Sequence, residues 1–316
     1  MKKFVAVLSS FVAFTGCSHM NAKAGDVTAP GGLAGTYLTA PSKASPPQVL
    51  ILAGSGPTDR NGNSPLGVSA QSYRLLADGL SAAGIASTRV DKRGMFASAA
   101  GASDPNSVFI SQLAQDAHAW AREIKSRTGA RCVWLAGHSE GGLVALLAAQ
   151  NPTDICGLIL IATPGRKLGV VLREQLSANP ANTPILTDAL ATLAALEGGN
   201  NVDVSKLHPA LQTLFNPVVQ GFIKDLLQIN PVDLIANYNG EILIVQGAAD
   251  LQVGINDGRA LAAAQPRAKL IELANVNHVL KQTGPERGAN FASYTKPDLP
   301  IAPSVVTSIA AFIHEN

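Results

Sequence analysis

Aromatic side chains are scarce: Phe, Trp and Tyr make up 5% of the 316 residues. That leaves no evident stacking platform for nucleobases or long sugars. Charged residues reach only 15%, net charge is +2, and no Lys/Arg cluster stands out, which argues against a nucleic-acid partner. The chain has only three cysteines, and no Cys/His spacing suggests a metal ligand set, so no cofactor is expected. Internal repeats are lacking, as are low-complexity tracts beyond Ala enrichment. What is abundant is apolar side chain, at 47%, enough to bury one large α/β domain or two small ones and too much for disorder.

The N-terminus carries a targeting pattern. Lys2 and Lys3 precede the apolar run Phe4–Phe14, which is too short to span a bilayer and reads as a signal segment over residues 1–24. Two exits stay open. Thr15-Gly16-Cys17 resembles the end of a bacterial lipobox, which would acylate Cys17 and tether the chain to a membrane, although Phe14 replaces the usual Leu or Val. Ala22-Lys23-Ala24 fits ordinary cleavage after Ala24. Either way the chain is expected to be exported: periplasmic, secreted or lipid-anchored. Cys132 and Cys156 fall near the starts of two strands expected to be neighbours. In an oxidising compartment they can pair as a disulfide, the alternative being two buried thiols.

Residues 25–48 read as a loose Gly/Pro/Ala/Ser-rich entry with one edge strand at Leu33–Leu38. Continuous apolar runs at Val49–Ala53, Ile85–Val90, Arg131–Gly137 and Ile155–Ile161 read as buried strands. Helical periodicity over Tyr73–Leu80, Ser107–Arg127 and Gly141–Gln150 alternates with them. That alternation predicts a mostly parallel sheet covered on both faces. From about Arg166 to Asn239 strands cease, and helical pieces follow at Leu168–Ser177, Ile185–Leu196, Pro209–Phe215 and Val218–Gln228. Strands return at Glu241–Gln246 and Ala268–Leu273, with helices over Asp257–Ala264 and Pro303–His314. The expected organisation is a core of residues 25–165 and 240–316 with a helical cap at 166–239.

Gly137-His-Ser-Glu-Gly141 lies between a strand and an Ala-rich helix, the context of a nucleophile elbow. Larger side chains at Gly137 and Gly141 would collide with neighbouring strand and helix. The strained turn lifts the Ser139 hydroxyl out of the sheet. A serine hydroxyl needs a base, and this elbow predicts the chain order Ser, acid, His. Asp250 follows the strand Glu241–Gln246 at the carboxyl edge of the sheet and is the preferred acid. Its rival Asp257 sits at a helix start, where the macrodipole alone favours it. His278 follows the next strand and is the expected base. His19, His118, His208 and His314 lie elsewhere, and His138, inside the elbow, reads as a packing or orienting residue. Backbone N–H groups of Ser55 and Glu140 are the expected oxyanion donors, Gly56 being the alternative to Ser55.

Taken together, Ala53–Asn63, Asp91-Lys-Arg-Gly94, Gly137–Gly142, Val245–Asp250 and Asn277-His278 resemble the α/β-hydrolase superfamily, specifically bacterial esterases and serine-aminopeptidase-like hydrolases of the S33 type. The resemblance implies an α/β-hydrolase fold with a cap between the sixth and seventh strands. It also implies that Asp91 and Arg93 are structural, locking a turn. Three readings follow. The first is a serine carboxylesterase acting on a small-molecule ester of short or medium acyl chain, with a cap-lined acyl pocket. The second is an aminopeptidase or amidase in which Glu174, Asp188 or Asp225 would grip the substrate amine. The third is a non-catalytic binding protein on a hydrolase scaffold.

Overall fold

The computed structural model describes residues 22–41, 45–284 and 286–316. Most of the export segment, with Cys17 and His19, lies outside them. Eight strands form one sheet: β1 Ala24–Ala29, β2 Leu33–Leu38, β3 Gln48–Leu52, β4 Ala86–Val90, β5 Val133–His138, β6 Ile155–Ile161, β7 Glu241–Gly247 and β8 Lys269–Leu273. Their spatial order is β1-β2-β4-β3-β5-β6-β7-β8. β2 runs antiparallel to both neighbours, and from β4 to β8 every pairing is parallel. The entry segment needs correction: β1 was expected as loose chain, and Ala24, the expected end of the signal segment, pairs with Leu38.

Side chains alternate across the sheet with the period of two that a strand dictates. Leu50, Leu135, Leu158 and Ile244 face a core shared with α2 (Ile110–Thr128) and α3 (Glu140–Ala148). Val49, Ile51, Ile159 and Val245 face the opposite core, closed by α1 (Ser72–Ala82) and a helix over Pro303–Glu315. Because both faces are covered, the central strands read as unbroken apolar runs. The Cys132 and Cys156 sulfurs are bonded, with Cα atoms 5.1 Å apart, at the N-terminal ends of β5 and β6. The active rim lies at the other ends.

Between β6 and β7 lie five α-helices, Leu168–Ala178, Leu186–Glu197, Pro209–Leu214, Pro217–Leu227 and Pro231–Asn237. Leu193, Leu196, Leu211 and Phe215 give them an apolar centre of their own. Two charged clamps fasten this segment to the sheet domain. Arg166 Nε and Nη2 donate to Asp257 Oδ1 and Oδ2 at 3.0 and 2.9 Å. Asp225 Oδ2 accepts the Ile110 N–H at 2.8 Å, satisfying one of the open donors at the start of α2.

Candidate active site

Ser139 sits between the end of β5 and the start of α3 with φ 54° and ψ −122°. A positive φ at a non-glycine residue is strained and persists only where the surroundings enforce it. Here the Ser139 N–H donates to the Ile161 carbonyl and the Ser139 carbonyl accepts the Gly142 N–H, each at 2.9 Å. The flanking glycines are sterically compelled. A Cβ on Gly137 would stand 2.2 Å from the Gly141 oxygen, and one on Gly141 would stand 2.3 Å from the Leu52 oxygen. Both contacts are with backbone, which cannot swing aside. Gly137→Ala is therefore expected to cost about 3 kcal/mol or more, lowering Tm by roughly 6–12 °C. Gly25→Ala, where nothing lies within 4 Å, is the matched control; equal melting temperatures for the two variants would refute this steric account.

Asp250 follows β7, and its carboxylate is fully engaged. Oδ1 accepts the N–H groups of Gln252 and Val253 at 2.8 and 2.9 Å. Oδ2 lies 2.8 Å from His278 Nδ1, and both side chains are buried. Asp257, the rival acid, is instead taken up by Arg166 and by the Gly165 N–H. The loop carrying His278 is pinned by a part sequence reasoning missed, the short helix Arg287–Ala292. From it Asn290 Nδ2 donates to the Ala249 carbonyl at 2.7 Å, next to Asp250. Asn277 Nδ2 reaches the Ser293 hydroxyl just beyond that helix at 2.7 Å.

Ser139 and His278 line one cavity of about 190 Å³, with no hydrogen bond between their side chains. Gly54 and Ser55 line it too, on the loop after β3. The Ser55 and Gly56 N–H groups donate to no acceptor among the described residues. The Glu140 N–H, at the first position of α3, is one of the donors that a helix start leaves open. Leu66, Val68, Val279 and Tyr294 give it an apolar side, and no residue of the expected cap lines it. Two cap residues, Val219 and Phe222, line a second cavity of about 180 Å³ together with Gly56 and Glu140. A larger cleft of about 700 Å³ opens beside the disulfide and holds none of the predicted site residues.

His138 and Tyr73 join these loops. His138 Nε2 lies 2.8 Å from the His278 carbonyl, and its Nδ1 2.8 Å from the Tyr73 hydroxyl. A carbonyl only accepts, so Nε2 carries the proton and Nδ1 accepts from Tyr73. The Tyr73 oxygen in turn accepts the Gly54 N–H at 2.9 Å. Burial, and then the nearby His278, push the His138 pKa down to about 3 from its ordinary 6.5. The unfolded chain thus takes up a proton that the fold refuses. Stability contributed here is present above pH 6.5 and is lost as pH falls from 6.5 toward 3. Thermal melts between pH 7.5 and 5 should show this decline, and His138→Gln should flatten it; an unchanged slope would show that His138 is not its source.

Asp91 and Arg93 are structural, each locking a different neighbour. Asp91 accepts the Arg60 N–H and guanidinium, fixing the loop after β3. Arg93 pairs with Asp116 on α2 and donates to the Gly101 carbonyl.

The sheet order and the elbow define the α/β-hydrolase fold. More narrowly, residues 66–182 match the family described as serine aminopeptidase, S33; that segment holds Ser139 and ends before Asp250 and His278. Est1E of Butyrivibrio proteoclasticus, solved with ferulic acid bound, superposes with a TM-score of 0.56 at 16% identity over 90% of this chain and 94% of its own. The esterase PF2001 of Pyrococcus furiosus gives 0.55 at 14% identity, covering 93% and 91%. A membrane phospholipase A described as a bacterial virulence factor gives 0.54 at 18%, covering 93% and 86%. No curated protein matches the sequence. Together these findings support a hydrolase.

Proposed function

We propose that the chain is a serine carboxylesterase working through an acyl-enzyme on Ser139. The observation that carries this reading is the 2.8 Å contact of Asp250 Oδ2 with His278 Nδ1 on the cavity that holds the strained serine. With Asp250 accepting the proton on Nδ1, His278 Nε2 is left as the base. It takes the Ser139 proton as Oγ attacks the ester carbonyl, a contact that tightens when substrate fills the cavity. Ser55 and Glu140 N–H groups hold the tetrahedral oxyanion. The protonated His278 then delivers its proton to the departing alcohol, and water repeats the sequence on the acyl-enzyme.

A cavity of about 190 Å³ is below the roughly 300–1,000 Å³ of drug-sized ligand sites, which favours short acyl groups. The aminopeptidase reading has less support. Glu174 is paired with Arg166 and Asp225 caps α2, leaving only Asp188 of the three carboxylates considered. A panel of chromogenic esters of rising acyl length, set against aminoacyl anilides, tests the proposal: short esters should be turned over fastest. Faster anilide cleavage would overturn it. The same reading takes the chain to be exported, on its N-terminal pattern and the Cys132–Cys156 bond, because disulfides persist in oxidising compartments. The mass of the mature N-terminus separates acylation of Cys17 from cleavage after Ala24, and an intact Met1 in the mature protein would contradict export.

A further inference from the structure

The segment Asp91–Gly94 places a lysine where the acyl-transfer chemistry would feel it. Lys92 is largely withdrawn from solvent, its side chain 11% exposed. Its Nζ donates to the Gly54 carbonyl at 2.7 Å and lies 3.6 Å from Glu140 Oε1. Gly54 is packed against the nucleophile: a Cβ there would stand 3.2 Å from the Cβ of Ser139. The amide on its other side is held as well, its N–H by the Tyr73 hydroxyl. Glu140 is the residue after the nucleophile. Its Oε1 is buried with no hydrogen-bond partner, so Lys92 is the charge that keeps this carboxylate from being stranded. Desolvation lowers the pKa of Lys92 while Glu140 opposes that shift.

A peptide unit is planar and trans, so its C=O and N–H point in opposite directions. Fixing the Gly54 oxygen therefore fixes the direction of the Ser55 N–H. The donor on that oxygen is an ammonium, and charge-assisted hydrogen bonds are roughly twice as strong as neutral ones. It also polarises the peptide, making the opposite N–H a better donor. We propose that Lys92 is a positioning residue for acyl transfer: by gripping the Gly54 carbonyl while paired with Glu140, it holds both expected oxyanion donors, the N–H groups of Ser55 and Glu140, in working geometry. This rests on the esterase reading above. A merely structural ion pair would stabilise the fold equally in every catalytic state, whereas this role is felt only when negative charge develops on the substrate oxygen.

The test uses the full chain as wild type, Lys92→Met, and Lys92→Met/Glu140→Gln, the last removing the stranded carboxylate so that the protein remains folded. Three quantities are measured: kcat and KM on a short p-nitrophenyl ester, inhibition by a trifluoromethyl ketone that forms a tetrahedral oxyanion on serine, and Tm. Losing a donor typically costs about 10²–10³ in turnover, and a misaimed one less, so kcat should fall by roughly 10–10². KM should stay within about threefold, and the inhibition constant should rise by the same factor as kcat/KM falls. Wild-type kcat in the folded double variant overturns the proposal, as does a fall in kcat/KM with ketone affinity unchanged. A phosphonate ester probe of Ser139 distinguishes failure of the parent reading. A wild-type chain that neither takes the label nor cleaves the ester has no oxyanion to stabilise, which removes this role together with the esterase.

Discussion

Ser139→Ala is expected to lower kcat by about 10⁶-fold, the scale on which losing a serine nucleophile falls when the rest of the machinery is intact. The structure explains why the loss should be chemical and not conformational. The elbow is held by the backbone bonds of residue 139 to Ile161 and Gly142 and by close contacts at Gly137 and Gly141. None of these uses the hydroxyl. Alanine keeps the Cβ, so it meets the same strain at φ 54° and no more. Tm should therefore stay close to wild type and substrate should still bind, the variant behaving as a trap for uncleaved ester. Single-turnover release of chromogenic alcohol measures the effect. Activity above about 1% of wild type would mean that another group attacks the carbonyl.

Asp250→Asn should lower kcat by about 10⁴-fold, as the tautomer argument requires. The carboxamide is forced into one orientation. Its oxygen must take the place of Oδ1, because two N–H groups, from Gln252 and Val253, converge there. Its NH2 then faces His278 Nδ1, which has to become the acceptor. The ring proton moves to Nε2, and the nitrogen facing Ser139 can no longer take a proton. Asp257→Asn provides the contrast: it weakens the Arg166 clamp and should reduce stability or affinity while leaving the imidazole's tautomer alone. Comparable kcat losses in the two variants, measured on the same ester at pH 8, would rule out the tautomer explanation.

How far the sequence could reveal this arrangement depended on whether the signal was local. β5 and β6 are apolar because both sheet faces are covered, so their runs announced them. The glycines of the elbow declared a close approach because Gly137 meets residues only four and five positions away and Gly141 meets the end of β3. β1 was hidden: Ala24–Ala29 mixes Gly, Asp and Thr with few apolar residues and is exposed along most of its length. Its hydrogen bonds come from β2, and a partner strand is not visible in the segment itself. The helix Arg287–Ala292 is too short for periodicity and is held by the Glu286 side chain at its start. Asp250 and Asp257 were separated on strand position, and their actual partners could be read only once Arg166 and His278 were located in space. Lys92 and Tyr73 each act through two contacts with residues far away along the chain, which no spacing rule encodes.

Among the described residues, the two strands that end the sheet, β1 and β8, each leave one row of peptide groups without a neighbouring strand, an invitation to foreign chains. Both rows are defended. Asp26 stands in the middle of β1 with its side chain 90% exposed, and Pro30, which has no N–H to offer, closes that strand. On β8, Lys269 and Glu272 are exposed and engaged with Glu315 and Arg259. An intruding strand would have to strip water and counter-charge from these groups before gaining its first backbone bond. The same architecture that gathers serine, aspartate and histidine along one rim is thereby guarded at its lateral margins against amyloid-like growth.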